Sequence, residues 1–302
     1  MTLPNFLIVG AAKSATTSLW QNLRQHPEIY MHPRKQLNFY AFEGQEPRFR
    51  GPAPLDESRY DIRTIEQYET AFAGAGRERV VGEASNLYLY SPTAAERIRK
   101  HAPDTKIIAV LRHPAERAYS RFLQLVLSGR ESITDFARAL REEEARVAEG
   151  WWPEFHYLRA GLYDQQLSRY RDHFPDEQIR VYLYEELSED MPSVLVEIFD
   201  FLGVERDFEP DADIRYSASG IPAKKTVHWS LQRLRSIRPL AERLLPKACT
   251  DGLARRFSEI HRKNLAKPKM SAEARALLLA GYHDDTRRLE KRINRDLSAW
   301  LQ

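Results

Sequence analysis

Residues 5–19 read Asn5-Phe6-Leu7-Ile8-Val9-Gly10-Ala11-Ala12-Lys13-Ser14-Ala15-Thr16-Thr17-Ser18-Leu19, and this stretch decides the fold. A continuous apolar run from Phe6 to Val9, ended by glycine, suits a strand buried on both faces of a parallel sheet. The run passes directly into a loop of small residues, after which a helix is expected from about Thr17 to Gln25, closed by His26-Pro27. Strand, small-residue loop and helix start is the arrangement that holds phosphates. Backbone N–H groups at the helix N-terminus point outward, and the dipole favours an anion there. Lys13 supplies charge, Thr16, Thr17 and Ser18 supply hydroxyls, and Ser14 and Ala15 let the backbone come close.

The Walker A pattern G-x-x-x-x-G-K-[ST] is not met. Ala15 stands at its second glycine, Thr16 at its lysine, and the lysine arrives early, at position 13. An ATP-dependent kinase with magnesium on the loop hydroxyl is therefore the weaker reading of the same segment.

Outward from this loop, strands alternate with helices to about residue 203. Val80 to Gly82 reads as a second buried strand, and Lys106 to Leu111 and Ile179 to Tyr184 as the third and fourth strands. Helices are expected over Pro92–His101 with Ser91 as cap, Glu116–Leu127, Ser132–Glu149, Leu162–His173 and Ser193–Leu202, the last closed by Gly203. Residues 43–63, rich in Gly, Pro, Arg and Asp, read as a surface loop. After Gly220 the chain reads as helical and basic, with no further strand. The expected fold class is α/β: a P-loop-like parallel sheet flanked by helices on both faces, with a helical basic C-terminal part. The 302 residues are expected to form one domain, an α/β core over 1–203 and a helical part of the same domain over 204–302.

The strand Lys106–Leu111 ends in Arg112-His113-Pro114, followed by Arg117, Tyr119-Ser120 and Phe122. An arginine at a strand's C-terminal end, with a hydroxyl two turns into the next helix, makes a phosphate clamp at the edge where open α/β sheets bind ligands. Together these segments resemble those of the sulfotransferases that use 3'-phosphoadenosine 5'-phosphosulfate (PAPS). Lys13 to Leu19 (KSATTSL) is similar to that family's 5'-phosphosulfate loop, K-x-G-T-T-x-L, with Ala15 in place of the glycine, a change tolerated where the backbone keeps negative φ. Arg112 to Phe122 resembles the 3'-phosphate signature R-x-P-x-x-R-x-x-S-x-[YF]. Gly82-Glu83-Ala84-Ser85 with Tyr88, the Leu162–Leu167 helix, Val181–Leu187 and Asp296–Trp300 are further likenesses, so the resemblance covers nearly the whole chain and lies nearest to bacterial carbohydrate-type and heparan-sulfate-type members.

The resemblance implies PAPS as donor, PAP as product and no metal. It implies that Lys13, Ser14, Ala15, Thr16, Thr17 and Ser18 cradle the phosphosulfate and that Arg112 and Ser120 hold the 3'-phosphate. Tyr184 would lie near the adenine, with a core tyrosine the alternative. Lys224 and Lys225 would belong to a basic loop closing over the 3'-phosphate. In the segment Met31-His32-Pro33-Arg34-Lys35-Gln36-Leu37-Asn38-Phe39-Tyr40 the heparan-type members carry a Lys-Glu pair; here Lys35 matches and Gln36 replaces the glutamate. A neutral amide is no general base at pH 7. Three readings stay open: Glu83 serves as base, the acceptor is a nucleophile such as an amine that needs little help, or activity is reduced and the chain binds PAP without turning over. Glu83 is favoured among them.

Composition narrows the remainder. With 42% hydrophobic and 29% charged residues the chain is an ordinary globular protein. Cys249 is the only cysteine, so neither an internal disulfide nor a cysteine zinc site is available. No secretion signal or membrane span is legible, which leads to an expected cytoplasmic location. From Arg215 onward 20 Lys and Arg face 8 acids, but no module that reads nucleic acid is visible, and no nucleic-acid partner is expected. The expected partner is a small-molecule or carbohydrate acceptor, a glycan, glycolipid or metabolite. Residues 43–63, Trp151 to Tyr157 and the C-terminal helices are its expected walls. Oligomeric state is not legible.

Overall fold

The computed structural model describes residues 3–53, 57–211, 221–222, 265–266 and 268–302. Its strands are β1 (Phe6–Gly10), β2 (Ile29–Met31), β3 (Val80–Ala84), β4 (Lys106–Leu111) and β5 (Ile179–Leu183). The helices that matter here are α1 (Thr16–Leu23), α2 (Ala94–His101), α3 (Pro114–Leu127), α4 (Tyr163–Arg171), α5 (Met191–Leu202) and α6 (Ala272–Ile293). The five strands form one sheet in the order β2-β3-β1-β4-β5, and every neighbouring pair is parallel.

Alternation along the strands divides the core. Leu7, Val9, Ile107, Ala109 and Leu111 pack on one face with Ile98 of α2, Leu167 of α4 and Leu289 of α6. Phe6, Ile8, Ile108 and Val110 pack on the other with Leu19 and Leu23 of α1 and Leu195, Ile198 and Leu202 of α5. Both faces are covered, which suits the continuous apolar runs Phe6–Val9 of β1 and Ile107–Leu111 of β4. A third cluster joins α3 to α6 through Phe122, Phe136, Tyr157, Leu278 and Tyr282. Gly82 is required by packing: a Cβ there would meet the Phe6 ring at 2.2 Å.

Several expectations are corrected. Strand β2 was not anticipated, because three residues at a sheet edge carry too little pattern to stand out. The helix expected over Ser132–Glu149 is two short helices, Phe136–Arg141 and Glu143–Ala148, separated at Glu142. Its start is delayed because the Asp135 carboxylate caps the amides of Ala137 and Arg138. Helix α2 is capped at Thr93, with the Ser91 hydroxyl accepting from the Thr93 amide one turn ahead of it. Tyr184 opens the helix Tyr184–Glu189 instead of closing β5. Beyond Gly220 the chain contributes a short antiparallel ladder of Ile221–Pro222 with Leu265–Ala266, where no strand was expected, and the long helix α6, which was. Gly203 ends α5 with φ 79°, as the C-cap reading requires. Lys224, Lys225 and Cys249 lie outside the described residues. Among the described residues no helix is long and apolar enough to cross a membrane.

Candidate active site

Because β1 lies between β3 and β4, the segments leaving the carboxyl ends of all three strands meet above the middle of the sheet. The loop after β1 is tied to β4 twice: the Ala11 amide donates to the Val110 carbonyl (2.7 Å), and Arg112 Nη1 donates to the Lys13 carbonyl (3.2 Å). Two left-handed residues, Lys13 (φ 74°) and Ala15 (φ 60°), bend the loop around Ser14. Ala15 thus does not meet the condition of negative φ under which its replacement of the glycine is tolerated. A glycine occupies this conformation freely, whereas alanine pays a steric cost there of order 1 kcal/mol. The first bond of α1 runs from the Leu19 amide to the Ala15 carbonyl, so the amides ahead of it have no intrahelical acceptor.

Lys35 reaches this loop from the segment after β2. Its Nζ donates to the hydroxyls of Thr17 (3.0 Å) and Thr16 (3.3 Å). Burial, followed by the Arg59 charge, lowers its pKa to about 7. Burial, then Arg121 and Arg112, lowers Lys13 to about 7 as well. Among the described residues no carboxylate forms an ion pair with either lysine, and the fully buried Ser14 hydroxyl has no hydrogen-bond partner. Two desolvated cations and an orphaned hydroxyl on one loop fit an anion of phosphate or sulfate type. Arg112 lies with its guanidinium 4.6 Å from the Tyr184 ring centre and 3.9 Å from the Glu116 carboxylate. The structure therefore brings Lys13, Lys35, Arg112 and Tyr184 together with residues 14–18. Ser120 is buried on the adjoining α3.

A cleft opens beside the loop. Ala11, Ala12, Gln36, Asn38, Tyr60, Asn86, Tyr90, Arg117, Arg121, Pro153 and Glu154 are among its walls. The 43–63 segment contributes Tyr60 and the Trp151–Tyr157 segment contributes Pro153 and Glu154, whereas no residue of α6 is among these walls. Trp152 is core, packed on Phe49 and Tyr60 with ring centres 4.6 and 5.1 Å away. Gln36, at φ 62°, accepts from Arg59 Nη1 through Oε1 at 2.5 Å. Arg117 is 2% exposed and donates to the Tyr157 carbonyl, not to an acid.

Glu83 is not among the residues brought to the cleft. It is fully buried. Its Oε1 accepts from Tyr68 (2.8 Å) and Tyr88 (2.5 Å), and its Oε2 from Ser85 (2.8 Å). Burial raises its pKa, while these hydroxyls and the Leu37 amide pull it back. The Asn38 amide donates in turn to the Ser85 hydroxyl (3.0 Å) and the Tyr40 amide to the Tyr88 hydroxyl (3.4 Å). Glu83 thus fastens the segment carrying Lys35 and Gln36 to the end of β3. This geometry withdraws it from the position of an accessible base.

Sequence reasoning missed Arg121, and it named Arg59 and Glu154 only as members of expected wall segments, without their ionic convergence. Arg121 lies 3.8 Å from Glu154, and Arg130 pairs with the same carboxylate. Burial raises the Glu154 pKa, but Arg121, Arg130 and Arg59 outweigh it and hold the group below the usual carboxylate range. Arginines on a helix and a surface loop carry no signal of this convergence, since only the fold brings them together.

A parallel α/β sheet with an anion loop after β1 and an arginine after β4 defines a protein that handles phosphate-like groups. Residues 4–210 match the model of the Sulfotransferase family, and the chain belongs to that family. A crystal structure of a sulfotransferase from Alicyclobacillus acidocaldarius aligns over the whole of both chains with TM-score 0.78 and 34% identity. Heparan sulfate glucosamine 3-O-sulfotransferase 3B1 of Mus musculus is 29% identical over 76% of this chain and 53% of its own length. The membrane-associated sulfotransferase kil1 of Dictyostelium discoideum is 23% identical over 68% of this chain and 57% of its own. The chain thus spans little more than half the length of these two curated relatives.

Proposed function

We propose that the protein transfers a sulfuryl group from PAPS to a hydroxyl or amine of a glycan, glycolipid or small metabolite. The observation that carries this reading is the pair of lysines, Lys13 and Lys35, desolvated on a phosphate-type loop with no carboxylate to neutralise them among the described residues. PAPS would bring an activated sulfuryl group whose departure leaves negative charge on phosphate oxygens. Lys13, Lys35 and the amides of residues 16–18 offset that charge from fixed positions. Arg112 and Ser120 would hold the 3'-phosphate and Tyr184 would flank the adenine, while Lys224 and Lys225, also expected at the nucleotide, lie outside the described residues. Gln36 positions the acceptor with its amide, which Arg59 holds in place.

A sugar is favoured as acceptor by the polar walls of the cleft, where Gln36, Asn38, Asn86, Arg121 and Glu154 stand among its lining residues. The relative named for glucosamine 3-O-sulfation supports the same choice.

The test is calorimetric titration with PAP and, separately, with ATP and Mg²⁺. PAP is expected to bind tightly and to lose about 100-fold in affinity in Arg112→Ala, the loss of one charged clamp. Preference for ATP with Mg²⁺, or no effect of Arg112→Ala, contradicts the proposal.

A further inference from the structure

Gln36 cannot take a proton, Glu83 is enclosed by its donors, and Glu154, though on the cleft, is committed to Arg121 and Arg130. One other pair meets the cleft. Tyr90 is a wall residue, and its hydroxyl lies 2.7 Å from Nδ1 of His156. His156 is not on the cleft surface; it is 8% exposed, and its Nε2 is buried without a hydrogen-bond partner. The phenol therefore stands between the cleft and a buried imidazole. We infer that Tyr90 and His156 form a proton relay that removes the acceptor's proton, in place of the carboxylate that Gln36 lacks. The inference rests on the sulfuryl-transfer reading above.

The chemistry balances. The acceptor oxygen forms its bond to sulfur while the bond from sulfur to the bridging oxygen breaks, and that electron pair stays on the phosphate of PAP. The acceptor's proton passes to the Tyr90 oxygen as the Tyr90 proton passes to Nδ1 of His156, and the imidazolium later returns it to solvent by the same path. The groups around the ring suit this. Burial and then Arg159 lower the His156 pKa to about 4, with the Trp151 carbonyl pulling the other way without closing a hydrogen bond on Nε2. The imidazole is thus neutral at pH 7, and its basicity matches that of an ordinary carboxylate. Around Tyr90, burial followed by Glu143 raises the phenol to about 12, opposed by Arg159, Arg169 and Arg117. The phenol is therefore protonated and acts as a conduit rather than as a standing base.

The test uses PAPS with water as the only acceptor, reading PAP release, beside PAP titration and ¹⁵N NMR of the histidines. Tyr90→Phe and His156→Gln should bind PAP within about twofold of the wild type. Their PAP release should fall by ~10²–10⁴-fold, the usual contribution of general base catalysis. The wild-type rate should fall on acidification as His156 protonates, and that limb should vanish in His156→Gln. In Tyr90→Phe, His156 should titrate at a higher pH, since a donor that favours the neutral ring is gone. Wild-type release rates in both variants, with normal PAP binding, overturn the relay and leave the sulfuryl-transfer reading standing. PAP binding without release by the wild type also overturns the relay and leaves a cofactor-binding protein. Failure of the wild type to bind PAP removes the reading on which the relay rests.

Discussion

Glu83 and the pair Lys13 and Lys35 are ionisable groups withdrawn from water at the same end of the sheet, and the protein treats them in opposite ways. Glu83 receives three side-chain hydroxyls and the Leu37 amide, and it is fully enclosed. The lysines receive no carboxylate among the described residues, and Lys35 meets only threonine hydroxyls there. A buried charge that is satisfied by the fold holds the fold together, whereas one left unsatisfied is a cost retained for a ligand. Stability and ligand affinity should therefore respond with opposite signs at the two places.

The largest effect is expected at the lysines. Lys13→Met should weaken PAP binding by about 100-fold, near 3 kcal/mol, while leaving the free protein as stable as the wild type or more so. Calorimetry and a melting curve read both sides; a destabilised variant with intact PAP affinity would break the comparison. Next comes Glu83→Gln. Its amide nitrogen would face hydroxyl donors, and a loss of about 2 kcal/mol of stability is expected. PAP release should decline only as far as the Lys35–Gln36 segment loosens. An unchanged melting temperature with abolished turnover would return Glu83 to the role of base. Ala15→Gly is the smallest: relief of the left-handed alanine, offset by the freedom glycine gains when unfolded, should stabilise by about 1 kcal/mol or less without changing PAP affinity.

How far the sequence carried this picture follows from where each signal lies. Strands β1 and β4 carry continuous apolar runs and were legible, as was β5 despite its exposed Arg180, and the residues 13–18 and Arg112 follow directly from β1 and β4 along the chain. Strand β2 was not legible, because its three residues owe their conformation to pairing with β3. The position of Glu83 was legible and its environment was not: Tyr68, Ser85 and Tyr88 surround it only once α/β packing brings 68 and 88 onto the end of β3. The positive φ of Ala15 was not legible because an alanine gives no sign of it. Arg59, Arg121, Glu154 and the Tyr90–His156 pair come from segments far apart in sequence and acquire meaning only around the cleft.

Lys13 and Lys35 are held partly neutral for an anion. Their folded pKa of about 7 lies below the unfolded value of 10.5. The unfolded chain thus binds more protons between those values, and their contribution to stability rises with pH over that window and is lost as pH falls through 7. A bound phosphosulfate or phosphate reverses the shift. PAP titrated at pH 8 in two buffers of different ionisation enthalpy should therefore take up protons, approaching two per site, and its affinity should decline as pH rises above 7. Binding with no proton uptake and no dependence on pH between 7 and 9 would show that the two lysines are not held neutral for the anion.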